Sequence, residues 1–243
     1  MNTRYKVTVS NRNIYKEIEL SKEDEFIVIG TSIDADVRLR KELFFDNIQL
    51  ELRKINDIWS IFGSDNVYFS LGDTRKLMSL QLEHGISFKV CYQNSDNELF
   101  AVDFMIDFDY EHKNYDREID LTGISGIKIG GTNSCSIIIW DEYVGNDTFE
   151  LKKLNDKWNI IDNGCRYGVN VNGKKIEKQE KIENHYFFSL VGYSFYYSNN
   201  YLYTSTSENI KVVNIKERIL ENQSTVYEYP KFTRNTRIQH ELP

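Results

Sequence analysis

Short runs of β-favouring residues, alternating apolar and polar in the clearest cases, recur along most of the chain. Tyr5-Lys-Val-Thr-Val shows the two-residue period, and Phe26–Ile29, Val37–Leu39, Ile127–Ile129 and Ile137–Ile139 read as further strands. ELRKINDIWSIF, which starts at Glu51, predicts a hairpin. Apolar Leu50, Leu52 and Ile55 precede an Asn56-Asp57 turn, and Trp59 and Ile61 follow it. ELKKLNDKWNII, from Glu150, repeats the plan. The bulky Trp59 and Trp158 are expected between sheets, where cutting either to alanine costs about 3–5 kcal/mol. Only Lys211–Gln223 offers a helical reading, and its first half reads equally well as strand. Many short strands, turn signals about every 8–12 residues and almost no helical period predict an all-β protein built as a β-sandwich.

The pattern occurs twice. Glu51–Trp59 (ELRKINDIW) matches Glu150–Trp158 (ELKKLNDKW), and Ile27-Val-Ile-Gly30 matches Ile127-Lys-Ile-Gly130. Asp36-Val-Arg-Leu39 aligns with Ser136-Ile-Ile-Ile139, Leu82-Glu-His with Ile182-Glu-Asn, and Phe88 with Phe188. A constant offset of about 100 residues over a whole unit indicates a duplicated domain. The expected organisation is a first sandwich over 1–104, a second over 105–205 and a C-terminal arm over 206–243. Both prolines, Pro230 and Pro243, fall in that last segment, whose end lacks a periodic apolar pattern. No Gly/Ser/Pro-rich linker separates the units near residues 105–122, so they are expected to pack together.

Composition narrows the function. The chain has 243 residues, 28% of them charged, with 16 Tyr and 14 Phe, a globular rather than disordered balance. A net charge of −7 argues against nucleic acid as a partner, and no apolar run approaches the roughly 18–20 residues of a membrane span. The start, MNTRYKVTVS, lacks the apolar stretch of a signal peptide. Cys91, Cys135 and Cys165 are odd in number and far apart, which favours free thiols in a reducing compartment. The four histidines show no metal-ligand spacing, and no cofactor or metal is expected.

One motif suggests chemistry. Gly168-Val-Asn-Val-Asn-Gly173-Lys174 is nearly the Gly-x-x-x-x-Gly-Lys loop of nucleotide-binding proteins. That loop needs a helix after it and a Ser or Thr after the lysine. Lys175 stands in the second place, Val169-Asn-Val-Asn172 alternates, and Asn172-Gly173 is the strongest short hairpin signal. The segment is therefore read as a hairpin. No nucleophile elbow or convergent acid–base set appears, so no catalytic residue is assigned.

With the repeat laid out, both units resemble the forkhead-associated (FHA) domain, a β-sandwich. The resemblance rests on Gly30 and Gly130 after a strand, on Asp36-Val-Arg-Leu39 and Ser136-Ile-Ile-Ile139, and above all on Asp162-Asn-Gly-Cys-Arg-Tyr-Gly168-Val-Asn-Val171-Asn172-Gly173. Gly30, Gly130, Gly168, Asn172, Gly173, Trp59 and Trp158 are the fold-defining positions. The family reads phosphothreonine, through an arginine after the strand glycine and a Ser-x-x-His loop. Here the arginine is replaced by Thr31 and Gly131, and the loops read Leu43-Phe-Phe-Asp46-Asn47 and Gly145-Asn-Asp-Thr148. Such departures describe degenerate FHA domains.

A degenerate FHA pair followed by Phe232-Thr-Arg-Asn-Thr-Arg237 is similar to the cytoplasmic N-terminal region of EssC-type ATPases, the FtsK/SpoIIIE-like membrane motors of Gram-positive type VII secretion. The resemblance implies a non-catalytic docking module at the cytoplasmic face of the membrane, with ATP-binding modules and membrane spans downstream. It implies other secretion core subunits as partners, such as the pseudokinase-like membrane component. The expected contact surface is the loop end of the second sandwich: Asp141, Tyr143, Asn146, Arg166, Tyr167 and Asn170. The alternative is a signalling module that binds phosphothreonine, with Arg166, Lys174 and Lys175 as substitute charge. A third is a membrane-surface role for the arm through Lys231, Arg234 and Arg237.

Overall fold

The computed structural model describes residues 5–72, 75–94, 98–106, 115–146, 148–205 and 207–220. Residues 221–243, which carry Phe232–Arg237 and the basic positions of the arm, lie outside the described residues. The fold is all-β, and four sheets form two sandwiches.

In the first sandwich one sheet runs in the order 15–20, 5–10, 98–106, 86–92, 67–70. The facing sheet runs 37–38, 26–30, 49–55, 58–63, 79–81. Ladders are antiparallel except the short pairing of Phe26–Gly30 with Val37–Arg38. Alternation fixes which face is buried: Val7, Val9, Phe88, Val90, Phe100, Val102 and Phe104 meet Ile29, Leu50, Leu52, Trp59 and Ile61 in one core. Trp59 is almost fully buried, and Asn56 and Asp57 hold φ of 51° and 63°, so the predicted hairpin turn forms where the sequence marks it.

The second sandwich repeats this plan with one rearrangement. Its Arg117–Asp120 strand leads after a short turn into Gly126–Gly130, as Tyr15–Leu20 leads into Phe26–Gly30. The place that Tyr5–Ser10 holds in the first unit is filled here by Tyr201–Thr204, between Tyr193–Ser198 and Arg117–Asp120. The second unit is thus circularly permuted relative to the first. Its Asn199-Asn200 turn, with φ of 52° and 63°, creates the extra hairpin that makes this possible.

The segment after 206 departs from the expected arm over its first part. Ile210–Val212 pairs with Ile137–Ile139, and Glu217–Ile219 pairs with Arg117–Ile119, each closing an edge of the second sandwich. The helical option for 211–223 loses because Val212 and Ile219 continue existing sheet ladders, where tertiary pairing outweighs weak local propensity. Similarly, the last strand of the first sandwich continues to Ile106.

The two sandwiches stack through their sheets. Strands 86–92, 98–106, 186–190 and 193–198 are buried almost throughout, the mark of sheets covered on both faces. The outward faces that meet are rich in small and polar residues: Thr8, Ser10, Ser87, Lys89 and Asp103 from the first unit, Asn170 and Ser189 from the second. Beside them Met105, Tyr115, Phe187 and Tyr196 form a small apolar cluster of their own.

Candidate functional site

The loop end of the second sandwich is built by residues 131–136, 140–146, 148 and 163–169. A strand glycine opens it: a Cβ on Gly130 would lie 2.1 Å from the Asn146 carbonyl oxygen, so no larger residue fits. Gly131 donates its N–H to Gly145 O at 2.8 Å, and Thr148 Oγ donates to Gly145 O at 2.9 Å. Asp162 organises the third loop, its Oδ1 accepting from Gly164 N at 2.9 Å and Cys165 N at 2.7 Å. Burial pushes the Cys165 thiol up to about 11, with the Asp162 charge adding to the effect.

The GCRYGVNVNGKKI segment is a hairpin. Asn170 pairs with Lys175 and Val171 with Lys174 across an Asn172-Gly173 turn with φ of 48° and 69°, the geometry of a type I′ turn. Asn172 also accepts from Phe187 N through its side chain, at 2.9 Å. No helix follows the turn, so backbone N–H groups do not converge as a phosphate cradle requires.

The six expected contact residues separate into two groups. Asn146 and Arg166 are exposed and Tyr143 and Tyr167 half-buried at the loop end. Arg166 lies over the Tyr167 ring at 5.6 Å, and Tyr167 meets Tyr143 edge-on at 6.0 Å. Arg166 makes no hydrogen bond or ion pair among the described residues.

Asp141 and Asn170, by contrast, face the first sandwich. Asp141 forms a salt bridge with Lys89 and accepts a hydrogen bond from Tyr193 Oη at 2.7 Å. Asn170 is buried and donates to Asp103 Oδ2 at 2.7 Å. An accessible contact role requires side chains in reach of solvent, and these two are instead spent inside the molecule. Their sequence positions gave no warning, because a polar residue on a sheet face or loop end normally meets water.

At the equivalent end of the first sandwich the chemistry is apolar. Thr31, which stands where an arginine is expected, is buried and exchanges hydrogen bonds with the Ile48 backbone; Ile48 N donates to Thr31 Oγ at 3.0 Å. Phe45 is 94% exposed and Ile33 77%, and Leu43, two residues before Phe45, is partly exposed. Phe45 is held in place: Tyr92 Oη accepts from Phe45 N at 2.9 Å and Asp46 N at 3.4 Å. In the sequence Leu43-Phe-Phe stands out only as a loop without a serine, since an apolar run does not reveal which side chain points outward. Phe44 turns inward onto Phe100, and Phe45 turns out.

Among the described residues no group of three or more His, Cys, Asp or Glu could hold a metal ion, and no helix is long and apolar enough to cross a membrane. The three cysteines are free thiols, Cys91 and Cys135 buried.

The chain is a tandem pair of all-β sandwiches. Among solved structures it is similar to the N-terminal FHA domain from EssC, a component of the bacterial type VII secretion apparatus. That match has 15% identity and a TM-score of 0.42, covering 88% of this chain and 98% of the other. It is also similar to FHA-1 of Mycobacterium tuberculosis Rv1747, with 21% identity and a TM-score of 0.30 over 42% of this chain and 96% of the other. Both of these solved structures are described as FHA domains. No protein-family model matches the chain, and no curated protein matches it.

Proposed function

We propose that this chain is a non-catalytic protein–protein docking module of a type VII secretion membrane ATPase, acting at the cytoplasmic face of the bacterial membrane. Core secretion subunits are the partners, with the pseudokinase-like membrane component foremost. The observation that carries this reading is the loop end of the first sandwich, where a pinned and 94% exposed Phe45 occupies a loop that in a phosphate reader supplies hydroxyls. A projecting aromatic fixed by its backbone is the anchor type that dominates protein interfaces. Tyr143, Tyr167 and Arg166 supply similar chemistry on the second sandwich.

The phosphothreonine reading keeps one favourable observation, the exposed Arg166 guanidinium with no ion pair among the described residues. A fork of charge-assisted bonds is needed for a phosphate, and Thr31 and Gly131 remove the arginine that begins it. Calorimetric titration of the full chain with matched phosphothreonine and threonine peptides separates the two. Docking predicts equal or absent binding. A phosphate preference that disappears in Arg166→Ala would establish the signalling reading instead. Co-purification with detergent-solubilised core secretion subunits is expected to fall about tenfold or more in Phe45→Asp, the loss of one interface hot spot.

A further inference from the structure

The seam between the sandwiches is centred on a carboxyl group in unusual surroundings. Asp103 is 1% exposed. Its Oδ1 accepts from Ser87 Oγ at 2.5 Å, and its Oδ2 accepts from Ser189 Oγ at 2.8 Å and Asn170 Nδ2 at 2.7 Å. Two of these donors belong to the second sandwich, so the group exists in this state only when the units are docked. All three donors are neutral. A fully buried carboxylate without a cation is among the costliest arrangements in a protein interior.

The charged groups that face the hub are already engaged. Lys89, two residues along the strand from Ser87, is bonded to Asp141. Lys6, on the strand next to Asp103, is bonded to Glu17 at 2.9 Å, and Glu17 also accepts from Tyr15 Oη at 2.5 Å. On the opposing hairpin Lys174 and Lys175 are exposed. The phenols of Tyr15 and Tyr115, neutral at ordinary pH, complete the set. None of these cations reaches Asp103.

A second observation concerns Asn170. Its buried Oδ1 has no hydrogen-bond partner among the described residues, while its Nδ2 also lies 3.3 Å from Ser10 Oγ. Turning this amide over would place the carbonyl oxygen at the same 2.7 Å from Asp103 Oδ2. Two oxygens at that separation require a proton between them. The proton is the cation that fits a space already filled by hydroxyl and amide groups.

We propose that the seam is a proton-coupled latch, in which the two sandwiches close on Asp103 in its protonated form and release that proton to solvent when they part. Burial raises the Asp103 carboxyl above the ordinary carboxylate range, and the bonds from Ser87, Ser189 and Asn170 only partly offset it. The sign follows from linkage. A group whose folded pKa is raised stabilises the closed form at low pH, and that stability is lost as pH rises through the folded value. The latch therefore tightens on acidification and loosens toward alkaline pH. It also holds the 140–146 loop of the second unit against Lys89 while closed.

The test uses the full chain. Infrared difference spectra of wild type minus Asp103→Asn, recorded at steps between about pH 5 and pH 8, above the ordinary carboxylate range, are expected to show the C=O band of a protonated carboxyl at the acid end. Denaturant titrations over the same interval are expected to show the wild-type folded-to-unfolded ratio falling by up to tenfold per pH unit relative to Asp103→Asn. The comparison cancels the histidines and surface carboxylates, which both proteins share. Wild-type spectra with only ionised carboxylate throughout this interval would overturn the latch, and so would identical pH dependence in the two proteins. Should Asp103→Asn fail to fold, the wild-type infrared titration decides alone.

Discussion

Removing the Lys89 ammonium tests whether the seam is as closed as its geometry implies. Lys89 and Asp141 expose only 11% and 5% of their side chains, and they join strand 86–92 of the first sandwich to the 140–146 loop of the second. Breaking a buried pair by deleting one partner costs about 3–5 kcal/mol, because the survivor stays desolvated. In Lys89→Ala the Asp141 carboxylate keeps the Tyr193 hydroxyl at 2.7 Å and the Tyr143 N–H at 2.9 Å. Those two donors place the expected loss at the lower end, about 3 kcal/mol. In Asp141→Ala the ammonium keeps the Tyr193 and Tyr143 rings, at 5.4 and 5.8 Å from its nitrogen. Cation–π attraction of about 1–2 kcal/mol then softens the loss to about 2 kcal/mol. The double variant removes both charges and should cost well below the sum, giving a coupling energy of about 2–3 kcal/mol. Urea denaturation of the four proteins measures the cycle, and calorimetry should show Lys89→Ala melting about 6–12 °C below wild type. Single losses under about 1 kcal/mol, the range of solvent-exposed pairs, would refute the argument that the sandwiches exclude water at this point.

Two further outcomes follow from the second sandwich. Gly130→Ala forces a Cβ to 2.1 Å from a backbone carbonyl oxygen, which the 140–146 loop relieves only by moving, so a loss of at least about 2 kcal/mol is expected in denaturant titration. Cys165, its thiol pushed up to about 11 by burial, should alkylate more slowly with iodoacetamide at about pH 8 than the same thiol in the urea-unfolded chain. Its contribution to stability is complete below the unfolded thiol value of about 8.5 and is lost as pH rises toward 11. Equal alkylation rates in the folded and unfolded chain would contradict the burial described here.

The hairpins were legible because their signals are local. Asn56-Asp57 and Asn155-Asp156 hold positive φ in both repeats, and Trp59 and Trp158 follow at the same register on buried faces. The permutation was not legible, since Tyr201–Thr204 reads as a strand whichever neighbour it takes. The seam was hidden for a different reason. Thr8, Ser87 and Asp103 occupy the polar places of alternating strands, and alternation alone assigns those places to water. Only a second polar face of matching shape turns them inward, and that face belongs to residues about 70–165 positions away. Asn170 and Asp141 were placed at an open loop end by the same reasoning and for the same reason lie elsewhere.

Stacking through sheets has a consequence for how the loop ends can work. The first sandwich contributes a sheet face to the seam and leaves the Ile33, Leu43 and Phe45 side chains exposed, with Phe45 N and Asp46 N tied to the Tyr92 hydroxyl at the end of strand 86–92. The second sandwich contributes both a sheet face and the base of its 140–146 loop. Tyr143 sits two residues from Asp141 and shares its N–H with that carboxylate, while Lys89 lies over the Tyr143 ring at 5.8 Å. A ligand that favours one position of Tyr143 must therefore shift the Lys89–Asp141 contact by the same free energy that the contact lends to its binding. The two loop ends thus reach the seam differently: the first through the Tyr92 hydroxyl at the end of strand 86–92, the second through the Lys89–Asp141 pair itself.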